Sequence, residues 1–264
     1  MERGLSRRVE QRYTSLSIDE KSFRKGHHYV TVLSCPQTGT IINVAEGRTK
    51  KVSKELITNS LTETQRAIVE TVSMDMSRAY IHAVKETLPD SHICFDKFHL
   101  VKYLNEAVDQ VRRREVKKEE ELKNTRYIWL KDHRDLTEKQ RLIFEAIDQV
   151  NYKTAKAWKI KENFRDIHFK QSKAEAFIIL SQWIRNAQKC GIGQIIKVAN
   201  MFKAHLTGIV NAMAYNKSNA MAERLNGKIQ EIKTSSKGYR TFEKFKSAIL
   251  FFNGGLDLYP HKTE

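Results

Sequence analysis

Three cysteines, three prolines and the absence of any apolar run near the roughly 20 residues that cross a bilayer set the first limits on this 264-residue chain. Cys35, Cys94 and Cys190 are odd in number, far apart and never in a CxxC pair, which excludes a disulfide framework and a cysteine zinc site. The N-terminus, MERGLSRRVEQRY, has no apolar segment of the signal-peptide kind, so the expected location is cytoplasmic, with no membrane partner. Acidic residues are also short: 31 against 47 Lys and Arg, a formal charge of +16. A basic surface of this size suits a polyanion, because binding phosphates releases condensed counterions; nucleic acid is the expected partner, with an anionic membrane surface or mere solubility as the alternative.

The chain has no internal repeat and no low-complexity segment, and its two parts differ in character. TSLSI, residues 14 to 18, reads as a strand ending at Asp19; after the basic turn KSFRKGHH, YVTVLS and IINVAEG flank the turn signal CPQTGT as a hairpin. Val52 to Val69 reads as one helix. TVSM is then a strand before Asp75, RAYIHAVKETL a helix stopped by Pro89, and HICF a strand closed by Asp96. Beyond it Phe98, Val101, Leu104, Val108 and Val111 form a stripe at helical spacing that runs into RRREVKKEEELK. From 126 to 206 strand signals are few, the glycines are Gly191 and Gly193, and no proline falls between Pro89 and Pro260. Three to five further helices are expected there, anchored by Trp129, Trp158 and Trp183. The organisation expected is a core over 1–102, a helical insertion over 103–206, and returning helices over 207–264.

Three strands, then helix, strand, helix, strand, with acids after the first and fourth strands, is the pattern of a ribonuclease-H-like sheet of order 3-2-1-4-5 flanked by helices. In that order strands one and four are neighbours although Asp19 and Asp75 are 56 positions apart. Adjacent strands lie roughly 4.8 Å apart, close enough for the two side chains to share a metal ion; Asp96, one strand farther, falls roughly 10 Å from Asp19. Two adjacent carboxylates repel one another unless a cation neutralises them, and hard oxygen ligands suit Mg²⁺ or Mn²⁺. The candidate third acid is Glu223 in KSNAMAERLNGKIQEIK, on a polar stripe with Asn226 and Gln230, opposite a stripe of Met221, Leu225, Ile229 and Ile232. Its alternative role is to favour the positive end of its own helix.

The blocks SIDEKSFRKGHHYVTVLS, SMDMSRAYIHAVKETLP, CFDKFHLVKYLNEAVDQVRR and NAMAERLNGKIQEIKTSSKGYRTFEKFKSAILF, with the LDLYP ending, together resemble the DDE transposases of the ISL-three insertion-sequence family over about residues 3 to 260. The resemblance implies that Asp19, Asp75 and Glu223 match the catalytic acids. Asp19 would bridge two Mg²⁺ ions about 3.5 to 4 Å apart, with Asp75 and Glu223 each holding one and Mn²⁺ able to substitute. It also makes Asp96-Lys97-Phe98-His99 look like the acid-x-x-His element that several transposase families carry beside the active site. His99 otherwise serves to fix the start of its helix.

The implied activity is cleavage of insertion-sequence ends and their joining to target DNA by a bacterial, nucleoid-associated enzyme that acts as a homo-oligomer. Lys21, Arg24 and Lys25 are candidate phosphate contacts or a solvated basic loop; Arg112, Arg113 and Arg114 are candidate phosphate contacts or a solvated helix face. Family members usually carry a zinc-binding segment and a helix-turn-helix ahead of the core. The chain begins almost directly before the first strand, so neither module is expected here. A catalytically silent remnant that binds DNA or pairs with a full-length transposase, and a different ribonuclease-H-like nuclease such as a resolvase, remain the competing readings.

Overall fold

In a computed structural model the described residues are 4, 8, 11–24, 26, 28–148, 152–167, 172–215 and 220–257. The chain divides into two compact units, Met1–Asp96 with Lys217–Glu264, and Lys97–Asn216.

The first unit is built on a five-stranded sheet. Strands β1 (Ser15–Arg24), β2 (His28–Cys35) and β3 (Thr40–Glu46) form an antiparallel meander; β4 (Thr71–Met74) and β5 (His92–Phe95) add in parallel, giving the order β3-β2-β1-β4-β5. This is the ribonuclease-H-like arrangement that the strand pattern implied. β1 does not stop at Asp19. It continues to Arg24 because the polar segment after Asp19 pairs with β2, from Asp19 opposite Val32 out to Arg24 opposite His28. Ladder hydrogen bonds and the buried Phe23 outweigh the turn-like composition of the segment.

Between the strands run α1 (Lys50–Ser60), α2 (Glu63–Ala67) and α3 (Arg78–Thr87), with α1 packed on α3 and against β2 and β3. The single helix expected over 52–69 is two, since Thr62 accepts the Gln65 N–H while Gln65 returns a bond to the Thr62 backbone N–H, a capping box that starts a new helix.

The second unit is all helical among its described residues: α4 (Lys97–Glu115), α5 (Arg126–Leu130), α6 (Glu138–Asp148), α7 (Lys153–Arg165), α8 (Lys173–Gln188), α9 (Gly193–Ala204) and α10 (Leu206–Ala214), with two 3₁₀ turns. α4 buries Leu100, Leu104, Val108 and Val111, a stripe one step from the expected one, and leaves Phe98 56% exposed. Trp129 packs edge to face with Trp158 and Phe144, and Trp158 is tilted against Phe144, while Trp183 joins Phe164 and Phe202, so all three tryptophans anchor this unit. Glu115, at the end of α4, accepts the Lys153 and Thr154 backbone N–H groups and caps the positive end of α7.

The chain then returns to the sheet unit as α11 (Ala220–Ser235) and α12 (Phe242–Asn253). Leu225 and Ile229 of α11 and Phe245, Ile249 and Leu250 of α12 share one core with Phe23, Val30, Val32, Ile41 and Val44 of the meander. Phe23 stacks on Phe245 at 5.2 Å, worth about 0.5–1.5 kcal/mol beyond burial. Gly39, at φ +68 in the β2–β3 turn, lets α11 approach: a Cβ there would stand 2.6 Å from Met221 Sδ. No described helix is long and apolar enough to cross a membrane.

Candidate active site

The register of the parallel strands places the sheet's aspartates. Ser15 faces Thr71, Leu16 faces Val72 and Ser17 faces Ser73, a constant offset of 56 residues. The same offset separates Asp19 from Asp75, and the 21 residues between the paired positions of β4 and β5 separate Asp75 from Asp96. All three aspartates therefore fall at one level of adjacent strands. The Asp96 N–H donating to the Met74 carbonyl at 3.0 Å continues the ladder to that level. At about 4.8 Å per strand, Asp75 neighbours both Asp19 and Asp96, and Asp96 stands two strands from Asp19.

Face follows from the twofold alternation of a strand. Ser15 Oγ meets Thr71 Oγ1 at 2.7 Å, so Ser15, Ser17 and Asp19 on β1 share a face with Thr71, Ser73 and the position of Asp75 on β4. Asp19 lies opposite Val32 and Lys21 opposite Val30, which puts this face on the side of the α11–α12 core. The polar ladder is buried at its serines and threonine and opens at its acidic end, where the Asp19 side chain is 21% exposed.

Each Asp19 oxygen is engaged. Oδ1 accepts the Glu20 backbone N–H at 2.7 Å; Oδ2 accepts the Asn226 side-chain amide at 2.7 Å and lies 3.3 Å from the Lys21 ammonium. Asp75, just after β4, accepts the Ser77 N–H at 2.9 Å and so orders the turn into α3. Tyr80 of α3, 1% exposed, hydrogen-bonds Thr31 at 3.2 Å. Burial raises its phenol pKa; the Thr31 bond offsets part of that rise, and the carboxylates of Glu20, Asp75 and Asp19 add to it. One phenol thus feels both aspartates. On the opposite face Arg48 holds Glu20 through both carboxylate oxygens, at 3.1 and 3.3 Å, and covers the Tyr29 ring.

Position 223 lies in α11, three residues before Asn226; the Glu223 side chain falls outside the described residues, as does Lys25. Of the other expected contacts, Lys21 is paired with Asp19, and the exposed Arg24 donates to the Tyr239 carbonyl at 3.3 Å while covering Phe23. In the helical unit His99 sits in the first turn of α4, edge-on to Phe98. Arg112 is 9% exposed and gives two hydrogen bonds to Asp109, at 2.9 and 3.1 Å. A charged run viewed as sequence does not reveal which member turns inward. Arg113 and Arg114 are exposed, the former also paired with Asp109.

The donor set at the sheet suits a hard divalent cation: carboxylate oxygens from adjacent strands, with an ammonium already drawn to one of them. Among the described residues, the group of three whose ligand atoms all lie within 4.8 Å of one another is Asp132, His133 and Glu162, in the helical unit. It fits a metal poorly. Arg134 binds both Asp132 oxygens, Lys161 and Arg165 each lie 3.0 Å from Glu162 Oε1, and His133 takes Oε2 at 3.1 Å. Two carboxylates there face three permanent or buried cations.

The Asn226 bond to Asp19, the placement of Tyr80 and the turn ordered by Asp75 are not among the expectations from sequence. A signal existed for Asn226, which shares the polar stripe of Glu223; none existed for Tyr80, which reads as an ordinary core residue of its helix.

Comparison with known proteins follows this geometry. A family model described as Transposase, that of the ISL-three insertion sequences, matches residues 16–249. The chain is 26% identical over 238 residues to the transposase for insertion sequence element IS1001 of Bordetella parapertussis, covering 87% of this chain and 58% of that protein. It is 28% identical over 254 residues to the transposase for insertion sequence element IS1557 of Mycobacterium tuberculosis, covering 86% of this chain and 57% of that protein. The chain thus spans somewhat over half the length of these relatives.

Proposed function

The chain belongs to the transposase family of the ISL-three insertion sequences, and on that premise we propose that its sheet unit carries the centre for metal-dependent phosphoryl transfer on DNA. Asp19 and Asp75 are proposed as ligands of Mg²⁺, or of Mn²⁺ in its place, with Glu223 as the third acid of a two-ion site and Asp96 beside it. The observation that carries the reading is the register of β1 against β4: its 56-residue offset from Ser15–Thr71 to Ser17–Ser73, continued past the end of β4, would bring Asp19 and Asp75 to one level and one face. The Asn226 bond to Asp19 adds support for Glu223, because it brings the helix bearing position 223 onto β1.

Divalent cations held there would offset carboxylate repulsion and polarise the phosphodiester. The chain's own residues do the rest. β1 and β4 fix the spacing of the two acids, Ser77 orients Asp75, and Asn226 and Glu20 orient Asp19. The proposed substrates are the ends of an insertion sequence and a target duplex. Arg113, Arg114, Lys21, Arg24 and Lys25 are the proposed phosphate contacts, and the active form is proposed to be a homo-oligomer.

The test is Mg²⁺-dependent strand transfer on a pre-nicked duplex end, comparing the wild type with Asp75→Asn and Glu223→Gln. Both variants are expected to fall to background while keeping DNA affinity, or gaining slightly, since each removes a negative charge near phosphate. Transfer near the wild-type rate in Glu223→Gln would remove that residue from the site; the same result in Asp75→Asn would remove the site itself.

A further inference from the structure

α11 meets β1 by two kinds of contact. Leu225 and Ile229 press into the meander core, and Lys233 Nζ donates to the Ser22 carbonyl at 2.9 Å. Apolar packing sets how far the helix lies from the sheet, but it is non-directional and specifies rotation and slide only weakly. The Asn226 amide is directional, and it reads Asp19 itself, closing 207 residues of chain with a 2.7 Å bond.

The three donors on Asp19 also differ. The Glu20 N–H is fixed backbone, Lys21 reaches Oδ2 on a long side chain that is 26% exposed, and Asn226 is short and neutral. A cation approaching Asp19 repels the ammonium of Lys21 and leaves the amide in place. A neutral donor on one carboxylate oxygen can thus persist when metal binds, holding the plane of the group while its remaining lone pairs stay available.

We infer that Asn226 is a positioning residue that fixes the Asp19 carboxylate for metal and sets the level of position 223 along β1. This rests on the reading of Asp19 as a metal ligand. Loss of the donor would leave the fold in place and free the carboxylate to turn, a change that lowers metal affinity by about 10- to 100-fold where an outer-shell partner orients a ligand.

The experiment is Mn²⁺ titration, by electron paramagnetic resonance and calorimetry, of the wild type, Asn226→Leu, Asn226→Gln and Asp19→Asn, with melting temperature and DNA affinity measured alongside. Asn226→Leu keeps the size and removes the donor; it should bind Mn²⁺ at least about 10-fold more weakly with the melt and DNA affinity unchanged. Asn226→Gln, which retains a donor, should recover part of the loss, an outcome that a purely structural role does not give. Should Asn226→Leu lose its cooperative melt, Asn226→Ser, too short to reach Oδ2, carries the same expectation. Wild-type Mn²⁺ affinity in the donor-less variant, with binding lost in Asp19→Asn, overturns the inference and leaves the site intact. Unchanged Mn²⁺ binding in Asp19→Asn overturns the site reading beneath it.

Discussion

The two acidic groups of the molecule differ in how their charge is met. On the sheet unit, Asp19 lies on β1 and Asp75 just past the end of the neighbouring β4, Asp19 is partly exposed, and the ammonium drawn to it comes from a long, partly exposed side chain two residues away. In the helical unit, Asp132 and Glu162 are met by Arg134, Arg165 and the fully buried Lys161. Carboxylates gathered with too little positive charge favour binding a cation; carboxylates outnumbered by cations hold helices together. Proximity of acids alone does not distinguish a metal centre from an ionic staple. The balance of charge around them does.

The comparison breaks most visibly if the helical group is cut. Glu162 is 5% exposed, and Glu162→Ala takes the carboxylate from Lys161 and leaves Arg165 the longer 3.7 Å pair to Asp132. Removing one partner of a buried pair costs about 3–5 kcal/mol, so urea denaturation should show that loss while Mn²⁺ affinity stays at the wild-type value. Asp75→Asn should do the reverse, abolishing metal-dependent transfer at little cost in stability. A Glu162→Ala protein that is stable but has lost Mn²⁺ binding would assign the metal to the helical unit.

Strand identity was legible because apolar runs bounded by turn residues mark β2, β3, β4 and β5 within a residue or two. Register was not. The 56- and 21-residue spacings of the aspartates can be read from the chain, but only pairing shows that the strands are offset by those same numbers. The extension of β1 through Glu20–Arg24 was hidden because alternate polar residues on a half-exposed strand resemble a turn. The Thr62–Gln65 capping box is legible as T-x-x-Q, but the apolar spacing from Val52 to Val69 runs across it and masks the break. Lys161 could not have been placed by sequence: KIKENFR reads as a solvated face, yet its second lysine is buried and donates to the Trp129 and Lys131 carbonyls.

That buried lysine sharpens the comparison through pH. Burial lowers the Lys161 pKa to about 8, with Glu162 opposing the shift and Arg165 reinforcing it. In the window from about 8 up to the ordinary lysine value the unfolded chain holds a proton that the folded chain has released, so stability rises with pH there. The slope should approach one proton for this group, and Lys161→Met should flatten it. At the acid end Asp132, whose carboxyl pKa is pulled far down chiefly by the Arg134 side chain, contributes stability above the ordinary carboxylate range that is lost as pH falls through its folded value. Asp132→Asn should remove that acid-side loss. Denaturation midpoints from pH 7 to 10.5 and from pH 5 to 2 test the two ends; a flat profile in the wild type would show that the helical group is hydrated and not a staple.

The smallest expected effect tests the sheet side of the contrast. Lys21 lies 3.3 Å from Asp19 Oδ2 on the same face of β1, where its charge occupies part of the region a metal would neutralise. If the carboxylates are short of positive charge, Lys21 and the ion compete, and Lys21→Met should bind Mn²⁺ more tightly. Exposure and salt screen this pair, so the expected gain is on the order of twofold to fivefold. The gain should shrink as ionic strength rises, because the repulsion between Lys21 and the ion is screened. DNA affinity should fall slightly in the same variant if the displaced ammonium turns to phosphate, so the two titrations move in opposite directions. Weaker Mn²⁺ binding in Lys21→Met would mean that the lysine holds Asp19 in its binding orientation, and it would place Lys21 with Asn226 among the residues that position the acid.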